Sequence, residues 1–279
     1  MRVKITTEDG AGLVGEWREA AAPRAVAIIH SAAGVPAGYY AAFADWLMAE
    51  RHVHVLIYDY RDMGWSAEGP VSRSRATMAD WGVTDQSAML DHAIARFPDL
   101  PVWIIGHSMG GFCLPFHAQA DRVTRHIAIA SGPAYWPTHP FSFMPVVIAF
   151  WFLVGPIATQ VCGYLPGKSF GFNADLPAGV FWQWRRWCTD RRFYRPDYGG
   201  VLPWPEPERI VAKVELIGFS DDPMMPSARV ARLADYYPRA RTSFREIDPQ
   251  DVGLAKIGHI GAFARRNAAL WPHLVRDDG

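Results

Sequence analysis

Gly106-His107-Ser108-Met109-Gly110 sets a serine between two glycines. The apolar run Val102 to Ile105 precedes it and reads as a buried strand, and Gly111 to Ala118 follows as a helix-compatible run. Strand, Gly-x-Ser-x-Gly and helix together make a nucleophile elbow. The chain reverses there within a few residues, the serine backbone is strained, and the hydroxyl stands clear at the carboxyl end of a sheet. A side chain two positions before or after the serine would strike a neighbouring strand or helix, which accounts for Gly106 and Gly110. His107 should point away from Ser108, as a structural neighbour.

Serine is a poor nucleophile at neutral pH. It needs a base within hydrogen-bond reach, and the base needs an orienting carboxylate. In elbow-bearing sheets the chain order is serine, acid, histidine. A strand ending at Gly218 is followed by Phe219-Ser220-Asp221-Asp222-Pro223-Met224-Met225-Pro226, and the last strand by Ile257-Gly258-His259-Ile260-Gly261. His259, in a glycine-flanked loop, is the candidate base. Asp221 and Asp222 are both candidate acids. The other histidines and the three cysteines show no metal-ligand spacing, and no cofactor is implied.

These groups need a scaffold that brings distant loops to one edge. Val3 to Thr6 and Leu13 to Trp17 read as a hairpin, with strands at Ala25 to His30, His54 to Tyr58, His126 to Ala130, Val214 to Gly218 and Thr242 to Ile247. Helical spacing covers Tyr39 to Ala49, Thr77 to Phe97, Pro226 to Tyr237 and Ile260 to Leu270. An antiparallel start followed by alternating strands and helices predicts an α/β fold, a mostly parallel sheet with helices on both faces. The regular pattern lapses in the aromatic, proline-rich stretch 132–207, which holds Trp136, Trp151, Trp182, Trp184, Trp187 and Trp204. It reads as an inserted cap over residues 1–131 and 208–279, with Trp151 and Trp184 as candidate pocket walls.

The 279 residues, 50 % of them hydrophobic, fit one large domain with an insertion. Balanced charge, 28 basic against 28 acidic, offers no field for nucleic acid. Cys113, Cys162 and Cys188 are few and far apart, and the polar amino terminus resembles no secretory signal, so a cytoplasmic setting is expected. Pro140 to Gly167 carries no charge, yet Pro145, Gly155 and Pro156 interrupt it. The expectation is a cap helix rather than a transmembrane span, which needs about 20 unbroken residues. Weak contact of the cap with a membrane surface stays open, as does the oligomeric state.

Gly106 to Gly111, Asp222-Pro223-Met224-Met225-Pro226 and Gly258-His259-Ile260-Gly261 resemble, in order, the three signature stretches of α/β-hydrolases. Tyr58 to Ser66 is similar to their Asp-x-Arg-Gly-x-Gly-x-Ser stretch, with Asp62 in place of a glycine, so an altered turn is expected. The resemblance is closest to the bacterial lysophospholipase-like and serine-aminopeptidase-like branch. It implies the α/β-hydrolase fold and a Ser108–His259–Asp222 triad, Asp222 because it directly precedes the Pro-x-x-Pro-like run. It also implies an oxyanion hole from the amides of Met109 and of Ala32, with Ala33 as the alternative, in the loop after His30-Ser31 where the family has His-Gly. The expected activity is hydrolysis of a small apolar acyl or aromatic ester through an acyl-enzyme. Acyl transfer, amide, thioester or C–C cleavage on the same triad, and a non-catalytic binding role, are the alternatives.

Overall fold

The structure is a computed structural model that describes residues 1–277, so the last two residues of the expected 208–279 segment lie outside it. Strands β1 (Arg2–Thr6) and β2 (Gly12–Arg18) form the predicted hairpin. β3 (Ala25–His30), β4 (Val53–Asp59), β5 (Val102–His107), β6 (Val123–Ile129), β9 (Lys213–Phe219) and β10 (Arg241–Ile247) complete an eight-stranded sheet in the order β1-β2-β4-β3-β5-β6-β9-β10. β2 runs antiparallel to β1 and β4, and every other pairing is parallel. The central β3, β4 and β5 are buried at every residue, as strands covered on both faces must be, whereas edge strand β1 has no fully buried residue.

Helix α1 (Ala41–Arg51) joins β3 to β4 and α2 (Gln86–Arg96) joins β4 to β5. The two crossovers run in opposite directions across the sheet. Right-handed connections therefore place α1 and α2 on opposite faces. Phe43 of α1 packs edge-on against Phe263 and Trp271, and Phe97 after α2 against Trp17. Strand order reverses between β3 and β5, and at such a switch point the loops leaving the carboxyl ends part to leave a crevice.

Several helical expectations need correction. The elbow leads into two short 3₁₀ turns, Ser108–Gly111 and Leu114–Phe116, and not into an α-helix, because Pro115 lacks the N–H that a continuing ladder needs. The Thr77 to Phe97 stretch contains a π-turn at Asp80–Asp85 before α2. The Ile260 to Leu270 stretch is also broken into 3₁₀ turns, since Ala264 is extended (ψ 135°) and Asn267 is non-helical. Asp62 takes the left-handed conformation (φ 60°) in this turn. Aspartate is among the few residues that visit this region, and Ser74 Oγ donates to its carboxylate at 2.5 Å.

Between β6 and β9 the chain builds a helix spanning Phe141–Cys162 (α3), a two-stranded pair of β7 (Tyr164–Leu165) and β8 (Leu176–Pro177), and α4 (Ala178–Thr189). The expected interruption of α3 does not occur. Pro145 lies in a first helical turn, where its missing N–H is harmless. Pro156 follows a π-helical stretch, Ala149–Val154, that has already widened the ladder. A Cβ at Gly155 would come within 2.8 Å of the Phe181 ring, so glycine lets α3 press against α4. At 22 residues α3 is long and apolar enough to cross a membrane by length and composition. α5 (Ser227–Ala231) and α6 (Trp271–Leu274) close the element list.

Candidate active site

Ser108 sits directly after β5 at the switch point, with φ at 52°. A non-glycine residue held there stores backbone strain, a cost that clusters at functional sites. The flanking glycines explain themselves by distance. A Cβ at Gly106 would lie 2.4 Å from the Gly110 carbonyl oxygen, and one at Gly110 would lie 2.1 Å from that of His30. The second clash shows what the elbow presses on: the end of β3.

His259 Nδ1 is 2.8 Å from Asp222 Oδ2, and His259 Nε2 is 3.0 Å from Ser108 Oγ. A carboxylate accepts, so Nδ1 carries the hydrogen and Nε2 offers its lone pair to the serine hydroxyl. The loops after β5, β9 and β10 thus bring three residues distant in sequence into one hydrogen-bonded row. Asp222 is held by its second oxygen, which accepts from the Met224 and Met225 amides at 2.8 and 3.0 Å. Asp221 does not reach the imidazole. Its oxygens accept the amides of Ile257 and Gly258 at 2.9 Å each, pinning the loop that carries His259.

Ala32 departs from the oxyanion role expected of it. Its amide donates to the Tyr40 hydroxyl at 2.9 Å, in a buried contact. The Tyr40 hydroxyl lies 2.8 Å from His107 Nδ1, and His107 Nε2 lies 2.9 Å from the carbonyl oxygen of His259. A carbonyl only accepts, so His107 is protonated on Nε2 and takes the tyrosine hydrogen on Nδ1. Burial, reinforced by the neighbouring His259, drives the His107 pKa down to about 3, which keeps it neutral. The elbow pattern that turns His107 away from the serine carries no signal of this chain. Tyr40 sits in a 3₁₀ turn with nothing in its local pattern to mark it. Among the described residues, the amides of Met109 and Ala33 donate to no protein group.

Ser108 and His259 open into a cavity of about 520 Å³. Trp151 and Trp184 both line it, meeting edge to face at 4.9 Å. The cap also contributes Phe150 and Val154, and Met224 and Met225 add wall next to Asp222. Among the described residues no aspartate, glutamate, lysine or arginine lines the cavity. His139, also in the wall, has its ring nitrogens 2.8 Å from the Trp136 carbonyl and 3.0 Å from the Met224 carbonyl, and a neutral ring donates to one of the two. No group of three or more metal-ligating side chains occurs among the described residues.

Residues 21–166 match the family model of the S33 serine aminopeptidases. The chain belongs to this family of α/β-hydrolases. Solved structures share its fold at low identity. A hydrolase from Pseudomonas aeruginosa aligns with TM-score 0.58 and 17% identity, over 99% of this chain and 98% of its own. A thermophilic esterase from Thermogutta terrifontis gives 0.57 and 18%, over 98% of each chain. An esterase from Pyrococcus furiosus gives 0.63 and 14%, over 98% and 87%. The curated proteins yielded no match. The S33 family match spans the elbow and ends at Pro166, beyond α3; α4, Asp222 and His259 lie outside it.

Proposed function

We propose that this S33-family hydrolase cleaves carboxylic esters through Ser108, His259 and Asp222. The observation that carries the reading is the unbroken row from Asp222 Oδ2 through His259 to Ser108 Oγ at the wall of an apolar cavity. His259 Nε2 takes the serine proton as Oγ attacks the ester carbonyl carbon. Negative charge develops on the carbonyl oxygen, and the Met109 amide receives it. The second donor is assigned to Ala33, next along the loop, because the Ala32 hydrogen is held by Tyr40. Collapse expels the alcohol, which takes the proton from His259 and leaves an acyl-serine. Water, deprotonated by His259, then attacks the acyl carbon and releases the acid.

The cavity favours esters over the peptides that the family description suggests. An aminopeptidase must hold a substrate ammonium, and burying that charge without a carboxylate is costly. Among the described residues no carboxylate lines the wall, whereas aromatic and aliphatic side chains suit an uncharged acyl chain or ring. Two of the structural neighbours are esterases. The test is a graded panel of p-nitrophenyl acyl esters beside amino-acid p-nitroanilides. Esters should turn over and the anilides should not, and Ser108→Ala should abolish the ester rate. Near-native turnover by Ser108→Ala, or preference for the anilides, would refute it.

A further inference from the structure

Helix α3 shows opposite faces to two apolar environments. Val147, Trp151, Gly155 and Thr159, spaced by four, form its buried stripe. Leu153, Ile157 and Val161, also spaced by four and half a turn away, are 56%, 56% and 79% exposed. Phe141, at the start, is 93% exposed. A solvent-facing helix normally carries charge on its outer side, and this one carries none. An apolar face of this extent marks an interaction site.

Two observations identify what covers it. The first is charge. Each acidic side chain of 132–207 is already engaged: Asp175 with the Lys168 amide, Asp190 with Arg192, Asp197 with Arg186, and Glu206 with Arg209. Among the described residues no carboxylate pairs with Arg185, whose guanidinium lies over the Phe152 ring of α3 at 5.3 Å and donates to the Trp151 carbonyl. A cation without a carboxylate partner beside an apolar face complements an anionic headgroup above acyl chains. The second is continuity with the cavity. Val146 and Val154 are both exposed and part of the cavity wall, so the apolar face runs into the mouth that leads to Ser108. A second copy seated there would block that mouth, whereas a lipid surface would feed it.

We infer that α3 docks this protein on an anionic phospholipid surface, lying in the headgroup layer with its outer face among the acyl chains. It does not cross, because crossing would strip the Val147–Trp151–Gly155–Thr159 stripe from the cap. Under the proposed esterase reading, the substrate would be an acyl ester drawn from that surface.

Flotation of the full chain with phosphatidylcholine vesicles, with and without phosphatidylglycerol, tests this. The protein should rise with the anionic vesicles and partition several-fold less into the neutral ones. The triple variant Leu153→Glu/Ile157→Glu/Val161→Glu should partition at least ~10-fold less, while hydrolysing a dissolved short-chain ester at the native rate, which reports its folding. The assay needs no turnover, so Ser108→Ala should float as the native chain does, and failure here leaves the hydrolase reading standing. Native protein that stays in the aqueous layer would overturn the inference. So would equal partition into neutral and anionic vesicles, or a variant that floats undiminished. A dimer that the triple variant dissolves, without vesicle binding, would give the face to a second copy.

Discussion

The His107 ring donates to the backbone carbonyl of His259 at 2.9 Å, so the residue beside Ser108 holds the main chain of His259. Through Tyr40 the same ring reaches the Ala32 amide in the loop after β3. The loop carrying Ala32 and the loop carrying His259, more than two hundred residues apart, are thereby fixed to each other through the core rather than across the open site.

Tyr40→Phe removes the hydroxyl while keeping the ring that packs against Phe263. It leaves the Ala32 N–H and His107 Nδ1 unpaired in the core, at a cost of about 1–3 kcal/mol for a buried unsatisfied group. The expected outcome is a lower melting temperature together with a kcat reduced roughly 10-fold at nearly unchanged KM, as a small misplacement of reacting groups gives. Steady-state kinetics and calorimetry on one variant check both. An unchanged kcat would mean that the chain only supports the fold.

The two neighbouring aspartates should separate cleanly. Asp222→Asn replaces the acceptor of the His259 Nδ1 hydrogen and should cost about 10⁴-fold in kcat through the wrong imidazole tautomer. Asp221→Asn disturbs only the two amides of Ile257 and Gly258. It should lower stability by about 1 kcal/mol and spare most of the activity. Equal kinetic losses would show that the assignment of roles is wrong.

Acid should unfold this protein with unusual proton uptake. Burial holds His107 at about 3 and His117 and His126 at about 4, and keeps His30 well below its ordinary value. Each is neutral when folded and titrates near 6.5 when unfolded. The unfolded chain therefore binds more protons below pH 6.5. The stability these histidines contribute is complete above that pH and is lost as pH falls through about 4. Asp85, pushed up to about 7 by burial despite Arg61, works in the opposite sense and offsets part of the loss. Chemical denaturation between pH 7 and 4 should show stability falling with pH, with a shallower slope for His117→Gln. A flat profile would contradict the buried neutral state.

The strands and the convergence of Ser108, His259 and Asp222 in one hydrogen-bonded row were legible because each rests on local signals: buried apolar runs, glycines at the elbow, and loops following strands. What stayed hidden depends on contacts between distant segments. Nothing near Ala32 announces that its amide belongs to Tyr40, and nothing near Asp221 says that it faces two amides while its neighbour faces the imidazole. Proline misled in both directions. Pro115 broke an expected helix, while Pro145 and Pro156 failed to break α3, because their effect depends on which N–H the ladder can spare.

Whether Ser108 is the nucleophile that His259 activates is decided by fluorophosphonate treatment followed by peptide mass spectrometry. The expected outcome is a single adduct on Ser108, loss of ester hydrolysis in step with labelling, and labelling slowed by orders of magnitude in His259→Ala. Full inhibition with Ser108 unmodified, or undiminished labelling of the His259→Ala protein, would contradict it.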